Sequence, residues 1–170
     1  MAKLYVCRIC GEPYIGGSAP DDCPFCGAPQ RYLIMAEDYD TLWGVDLSEQ
    51  EKTDMKATLD LEVNATAYYK KVAKANAKYS KYERLFKQFA RVEKEHAEVA
   101  AKFLGIGLPE FTGEDPKGSI QADLERTKEL EKGAMGQYKT FMENAANEKV
   151  KKFYDALIHA ENGHYECASE

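Results

Sequence analysis

The sequence predicts a mainly α protein, a four-helix bundle preceded by a small metal-binding module, and three observations carry that prediction. Apolar residues recur at helical spacing along four long segments between residues 48 and 170. A lone Glu followed about thirty residues later by Glu-x-x-His occurs twice along those segments. Four of the five cysteines form two Cys-x-x-Cys pairs within the first 26 residues.

Residues 1–36 are rich in Gly, Pro and Cys, with short extended runs at Leu4–Val6 and Tyr32–Met35. Cys7-x-x-Cys10-Gly11 and Cys23-Pro24-x-Cys26-Gly27 are separated by 12 residues, the spacing of a four-thiolate tetrahedral site on two turns. Such a site holds zinc or a single iron. Glycine after each turn suits a backbone that must aim N–H groups at sulfur. A segment this short cannot build a sufficient core, so the metal is expected to be part of its fold. No segment reads as a signal peptide, which disfavours pairing the cysteines as disulfides. Spacing alone fits a structural zinc ribbon; next to a redox metal pair, a one-electron iron site fits better.

Residues 37–47 read as a linker, acidic from Glu37 to Asp46, and residues 48–170 as the bundle. Ser48-Glu49-Gln50-Glu51 is a capping box that opens the first helix, and Ser80-Lys81-Tyr82-Glu83 opens the second. Gly105 and Gly107 end the second helix, with Pro109 beyond. The 14 residues from Gly105 to Gly118 are too many for a simple hairpin. Extended, they reach roughly 45 Å, enough to run the length of a 25-residue helix of about 37 Å. The third helix starts near Ser119, and Asn147 caps the fourth.

Each helix carries one interruption of its apolar stripe. The first reads Met55, Leu59, Glu62, Thr66, Tyr69, Val72, and the third Ile120, Leu124, Thr127, Glu131, Tyr138, Met142. The second reads Leu85, Phe89, Val92, His96, Val99, Phe103 with Glu93 beside Val92; the fourth reads Val150, Phe153, Leu157, Glu161, His164, Ala168. If turns lie near Tyr79 and Ala146, Glu62 and Glu93 stand 17 and 14 residues from the first turn, and Glu131 and Glu161 each 15 from the second. At about 1.5 Å per residue all four reach similar heights. In Glu-x-x-His the two side chains share one helical face. Four interior carboxylates with nothing to neutralise them would cost several kcal/mol each, and two divalent cations cancel that charge. Four solvated Glu on charged helices is the competing reading in a chain with 31% charged residues, but six groups in register with the stripes argue against it.

The two halves repeat. Leu61-Glu62, Ala65 and Tyr69 match Leu130-Glu131, Ala134 and Tyr138, and Glu93, His96 and Glu98 match Glu161, His164 and Glu166. A two-fold-related pair of hairpins suits a symmetric two-metal site. One Glu from each of two helices plus Glu-x-x-His from each of the others is the ligand set of ferritin-like di-iron or di-manganese bundles.

The net charge of −6, with no basic patch of consequence, argues against nucleic acid. No apolar run approaches the ~20 residues that span a membrane, and a cytoplasmic setting is expected.

With these motifs in place, the chain resembles a rubrerythrin: residues 1–36, including the Cys-Pro-x-Cys-Gly-Ala-Pro run from Cys23 to Pro29, resemble its rubredoxin-like domain, and the two Glu…Glu-x-x-His units resemble its di-iron bundle. With the rubredoxin-like part first, the order resembles the reverse rubrerythrins. The resemblance implies a ferritin-like four-helix bundle and a non-haem peroxidase that reduces hydrogen peroxide to water. Electrons come from a reduced nicotinamide cofactor through separate reductases or a rubredoxin-type donor protein. It implies Cys7, Cys10, Cys23 and Cys26 as ligands of one iron. Glu62, Glu93, His96, Glu131, Glu161 and His164 would ligate two irons, with manganese the other candidate for the pair and Glu93 and Glu161 the bridging carboxylates. It also implies a homodimer in which one subunit's small domain faces the other's bundle.

One position departs from the family. Rubrerythrins usually carry an extra Glu three residues after the third-helix ligand, and here that residue is Ala134, matched by Ala65 in the first helix. Oxygen as substrate, or a ferroxidase or iron-binding protein with a structural zinc module, is the alternative this departure raises. Tyr69 and Tyr138 are either hydrogen-bond donors to the ligand carboxylates or core aromatics. His159 reads as a surface residue, Cys167 as a bystander thiol, and Trp43 as packing against the bundle. The run Lys70, Lys71, Lys74, Lys78, Lys81 reads as a solvated face, or as a docking patch for an acidic reductase.

Overall fold

A computed structural model describes residues 1–170. The N-terminal module is a three-stranded antiparallel sheet in the order β2–β1–β3, with β1 Lys3–Cys7, β2 Pro13–Gly16 and β3 Leu33–Met35. The extended runs expected at Leu4–Val6 and Tyr32–Met35 are present, except that Tyr32 closes a 3-10 turn, Gln30–Tyr32. Strand β2 had no signal in the sequence: its four residues include Pro13 and Gly16, both poor strand formers, and it is held as an edge by β1.

Four helices follow: α1 Glu49–Ala75, α2 Lys81–Leu104, α3 Ile120–Asn144 and α4 Glu148–Ser169. Their starts fall where the caps predicted. Ser48 accepts from the Glu51 N–H while the Glu51 carboxylate accepts from the Ser48 N–H, a complete capping box. At α2 the box is shifted by one residue. Ser80 accepts from the Glu83 N–H, but the Glu83 carboxylate takes the N–H of Tyr79, which sits in the left-handed region at φ 66°. Ser119 caps α3 and Asn147 caps α4. Helix α2 ends on Gly105 at φ 66°, the left-handed conformation that favours glycine at this position.

Helix α1 packs chiefly on α2 and α3 chiefly on α4, and the seam between α1 and α3 is thinner. The crossover returns along the bundle and is pinned on both sides of that seam. The Glu114 N–H donates to Asn64 Oδ1, Lys71 Nζ donates to the Gly113 carbonyl at 2.8 Å, and Arg126 clasps the Glu114 carboxylate.

One apolar core runs through both parts of the chain. Cys7, Ile9, Cys10, Cys23, Cys26 and Ala28 belong to the same cluster as Met55, Leu59, Ala97, Phe153 and Leu157. The segment read as a linker contributes to it. Ala36–Asp38 forms a 3-10 turn, Leu42 is buried, and Lys102 lies over the Trp43 ring at 4.6 Å. Polar ties fasten the module to α4: Asp155 Oδ2 accepts from Arg31 at 2.5 Å and from the Tyr32 hydroxyl at 2.6 Å, and Asp22 meets His159 at 2.7 Å. His159 is thus exposed, as the sequence suggested, but engaged.

Candidate metal centres

The four cysteines converge from two near-identical turns. In each, the glycine N–H that follows the second cysteine returns to the carbonyl of the first, Gly11 to Cys7 at 2.8 Å and Gly27 to Cys23 at 2.9 Å. Both glycines have positive φ. Gly27 is also required by packing, because a Cβ there would stand 2.9 Å from the Ala160 Cβ of α4. All four thiols are unpaired and buried, and each lies within 4.8 Å of the others. Cys7 Sγ is 3.6 Å from Cys26 Sγ and Cys10 Sγ 3.9 Å from Cys23 Sγ. A tetrahedron of sulfurs about 2.3 Å from a central ion has edges of about 3.8 Å. The arrangement therefore fits a four-coordinate metal ion and excludes disulfides, whose sulfurs lie about 2 Å apart. Hydrogen bonding among the sulfurs splits their acidities: Cys10 drives the Cys23 thiol far down, and Cys10 and Cys26 are pushed up. A bound cation removes that conflict.

The second centre lies inside the bundle, where Glu62, Glu93, His96, Glu131, Glu161 and His164 meet as two overlapping groups of four. Glu62, Glu93, His96 and Glu161 form one; Glu93, Glu131, Glu161 and His164 form the other. The shared pair spans both. Glu93 places Oε2 3.1 Å from His96 Nδ1 and Oε1 2.8 Å from His164 Nδ1. Glu161 does the same with Oε1 at 3.2 Å and Oε2 at 3.1 Å. Glu62 and Glu131 flank one imidazole each, both at 3.7 Å. Both carboxylate oxygens of Glu93 and Glu161 and the Nδ1 atoms of both histidines are buried without a hydrogen-bond partner. Buried polar atoms are nearly always satisfied, so six orphaned atoms aimed at one another fit bound metal, with Glu93 and Glu161 common to both groups of donors.

Without cations these groups perturb each other strongly. Burial, then the charges of Glu161 and Glu93, raises the Glu62 carboxyl to about 8, and burial with Glu93 and Glu161 lifts Glu131 well above the carboxylate range. Burial would raise Glu93 too, but His164 beside it outweighs this and holds it at about 2. Burial would lower both histidines; the charges of Glu161 and Glu62 on His96, and of Glu93 on His164, outweigh it and raise them well above the usual range.

The surroundings are crossed between the two halves. The Tyr69 hydroxyl of α1 donates to Glu131 of α3, and the Tyr138 hydroxyl of α3 donates to Glu62 of α1 at 2.5 Å. The tyrosines are donors to the carboxylates and, being fully buried, core aromatics as well, so both readings open from sequence hold.

His96 Nε2 lies 2.8 Å from the Cys26 carbonyl oxygen. A carbonyl can only accept, so Nε2 carries the hydrogen, and in the neutral ring Nδ1 is left with its lone pair toward the carboxylates. This bond joins a residue of the thiol cluster to a residue of the carboxylate cluster. Nothing in the sequence signals it, since one partner is a backbone atom 70 residues away. His164 differs: it faces a cavity of about 240 Å³ in the seam between the module and the bundle, where Cys23 and Gly27 also lie.

Two family models match the chain. The rubrerythrin rubredoxin-like domain matches residues 5–33 and rubrerythrin matches residues 55–170. Among curated proteins the chain is similar to Reverse rubrerythrin-1 of Clostridium acetobutylicum, 29% identical over 142 residues, covering 78% of this chain and 74% of that protein. No solved structure matches it significantly. With the rubrerythrin model spanning most of its length and the rubredoxin-like domain preceding it, the chain belongs to the rubrerythrin family.

Proposed function

We propose that this protein is a di-iron oxidoreductase that reduces hydrogen peroxide, in the net reaction H2O2 + 2 e⁻ + 2 H⁺ → 2 H2O. Electrons enter at Cys7, Cys10, Cys23 and Cys26 and are used at Glu62, Glu93, His96, Glu131, Glu161 and His164. Iron at both positions, bound by these ten residues, supplies the one-electron redox chemistry. The observation that carries this reading is the hydrogen bond from His96 Nε2 to the Cys26 carbonyl. It gives a continuous path from Cys26 Sγ through that residue's backbone, across one hydrogen bond and through the imidazole to Nδ1. The path is complete within one chain, so neither a homodimer nor an exchange of modules is needed for it.

The remaining residues orient and protonate. Tyr69 and Tyr138 fix Glu131 and Glu62, and burial and the carboxylate each one faces push their hydroxyls well above the usual range. They stay neutral at working pH and hold a proton against each of these carboxylates. Electrons would come from a donor protein, itself reduced through separate reductases, and the expected setting is the cytoplasm. No helix is long and apolar enough to cross a membrane.

A second reading, a ferroxidase or iron-binding protein with a structural zinc module, is favoured by Ala134 where the family carries an additional Glu. One experiment separates the two. The protein as purified is reduced anaerobically, hydrogen peroxide or oxygen is added separately, and the thiolate-to-iron absorption is followed. Faster recovery of colour with peroxide is expected. Faster recovery with oxygen would mark an oxidase, and a protein colourless throughout with zinc at the cysteines would leave the second reading standing.

A further inference from the structure

The carboxylate cluster has two dissimilar sides. On the histidine side, His96 is sealed by the Cys26 carbonyl and His164 backs onto the module seam. On the other side, in the thin seam between α1 and α3, a cavity of about 20 Å³ touches all four carboxylates. Its outer wall is mainly aliphatic, Leu61 and Ala65 from α1 and Leu130 and Ala134 from α3, with Asn64 beside them. The four aliphatic residues are half-buried, whereas the carboxylates beneath them are at most 3% exposed. The wall is built twice from one motif, since Leu-Glu-x-x-Ala occurs at residues 61–65 and again at 130–134. The rim is held from outside the helices as well, because Asn64 is engaged by the Glu114 N–H of the crossover.

We infer that the gap between Ala65 and Ala134 is the port by which the oxidant reaches the four carboxylates, and that these two methyl groups with Leu61 and Leu130 limit it to an unsubstituted two-atom oxygen species. The inference rests on the peroxide-reducing function proposed above and names its substrate class: hydrogen peroxide enters, and alkyl or aryl hydroperoxides do not. The physical argument is one of size and polarity. A cavity needs roughly 10–15 Å³ to hold one water-sized molecule, so this one is matched to a very small guest. Its wall is mostly aliphatic, with Asn64 already engaged by the crossover and the Tyr138 hydroxyl by Glu62, and the two helices that flank it are tied together by that crossover. Electrons then arrive from the histidine side and the oxidant from the opposite side, which keeps a reactive molecule away from the thiolates.

The test uses the full-length, iron-loaded protein and four variants, Ala65→Val, Ala65→Leu, Ala134→Leu and Leu130→Ala. Leucine is nearly as good a helix former as alanine, so the narrowing changes act on space rather than on the helix. Three quantities are read: iron content, azide affinity by optical titration, and the rates of reoxidation by hydrogen peroxide and by cumene hydroperoxide. We expect the Leu variants to keep their iron and lose at least tenfold in azide affinity and in peroxide rate, with Ala65→Val between them and wild type. Leu130→Ala is expected to raise the cumene hydroperoxide rate relative to peroxide by several-fold. If a Leu variant loses iron, Ala65→Val with full iron decides. Azide affinity and peroxide rate within twofold of wild type in the iron-replete narrowed variants would overturn the port and place entry elsewhere, the His164 seam being the other opening. A wild-type protein that binds no iron pair would instead sink the underlying function, and the port with it.

Discussion

The thiol cluster and the carboxylate cluster are both buried, but they become so by opposite routes. The module surrounds its cysteines with three short strands and two glycine turns, and its few apolar residues share one cluster with the bundle. The carboxylates sit inside a core that four helices of 22 to 27 residues build without them. One metal site creates the fold around it, and the other is imposed on a fold that resists it. The two should therefore respond in opposite directions when metal is withheld.

The largest effect is expected at the module. Binding free energies of structural tetrathiolate sites are on the order of 10 kcal/mol, more than a segment of this size can replace. Chelation, or Cys7→Ser, should expose the amides of residues 3–35 to hydrogen exchange while α1–α4 stay protected; protected module amides without metal would end the contrast. In the bundle the sign reverses. Metal-free Glu62→Gln should melt several degrees above metal-free wild type at pH 8, because burial and the neighbouring carboxylates raise the Glu62 carboxyl to about 8 and its ionisation there costs stability, yet it should no longer bind the metal pair. A lower melting point for the variant would mean that the cluster stabilises the fold by itself.

The pH dependence sharpens the same point. Glu62 and Glu131 have carboxyls raised above their unfolded values, so the native state holds more protons than the unfolded chain above about pH 4.3. Stability of the metal-free bundle should fall as pH rises from about 5 toward 8. The raised histidines act in the same direction above about 6.5. Glu93, held at about 2, opposes this only in strong acid. Denaturant titrations of metal-free protein at pH 5 and 8 test this, and metal-loaded protein should show the slope flattened.

Smaller effects probe the supports. Tyr138→Phe leaves Glu62 without its donor and should cost about 1–3 kcal/mol of metal-loaded stability. Tyr69→Phe should match it to within about 1 kcal/mol if the halves are equivalent. Smallest is Asp155→Asn, which weakens the exposed tie to Arg31 and the part-buried one to Tyr32. A stability loss of about 1 kcal/mol or less is expected, with its main effect on electron transfer between the centres, measured by rapid-mixing absorption.

Much of this was legible because it is local or periodic. Ser48, Ser119 and Asn147 announce their helices through backbone chemistry within three residues, and Glu62, Glu93, Glu131 and Glu161 stand out against apolar stripes. The ligand groupings follow once two antiparallel hairpins are assumed. Contacts between backbone and distant side chains were not legible. Glu51 reads as a capping residue of its own helix, yet its other oxygen also accepts from the Ala146 and Asn147 N–H groups at the start of α4. The Cys26–His96 bond and the seating of Gly27 against Ala160 depend on how one folded unit lies on another, which no spacing encodes.

The crossed tyrosines reach beyond stability. Each half of the bundle contributes a hydroxyl to a carboxylate that belongs to the other half, so neither hairpin contains its own complete environment. Since the halves repeat one motif, a free hairpin of residues 48–104 could meet a second copy of itself and offer Tyr69 to that copy's Glu62, regenerating the same constellation. The crossover from Gly105 to Gly118 is then a covalent tether that keeps each half beside the hydroxyl it needs from the other.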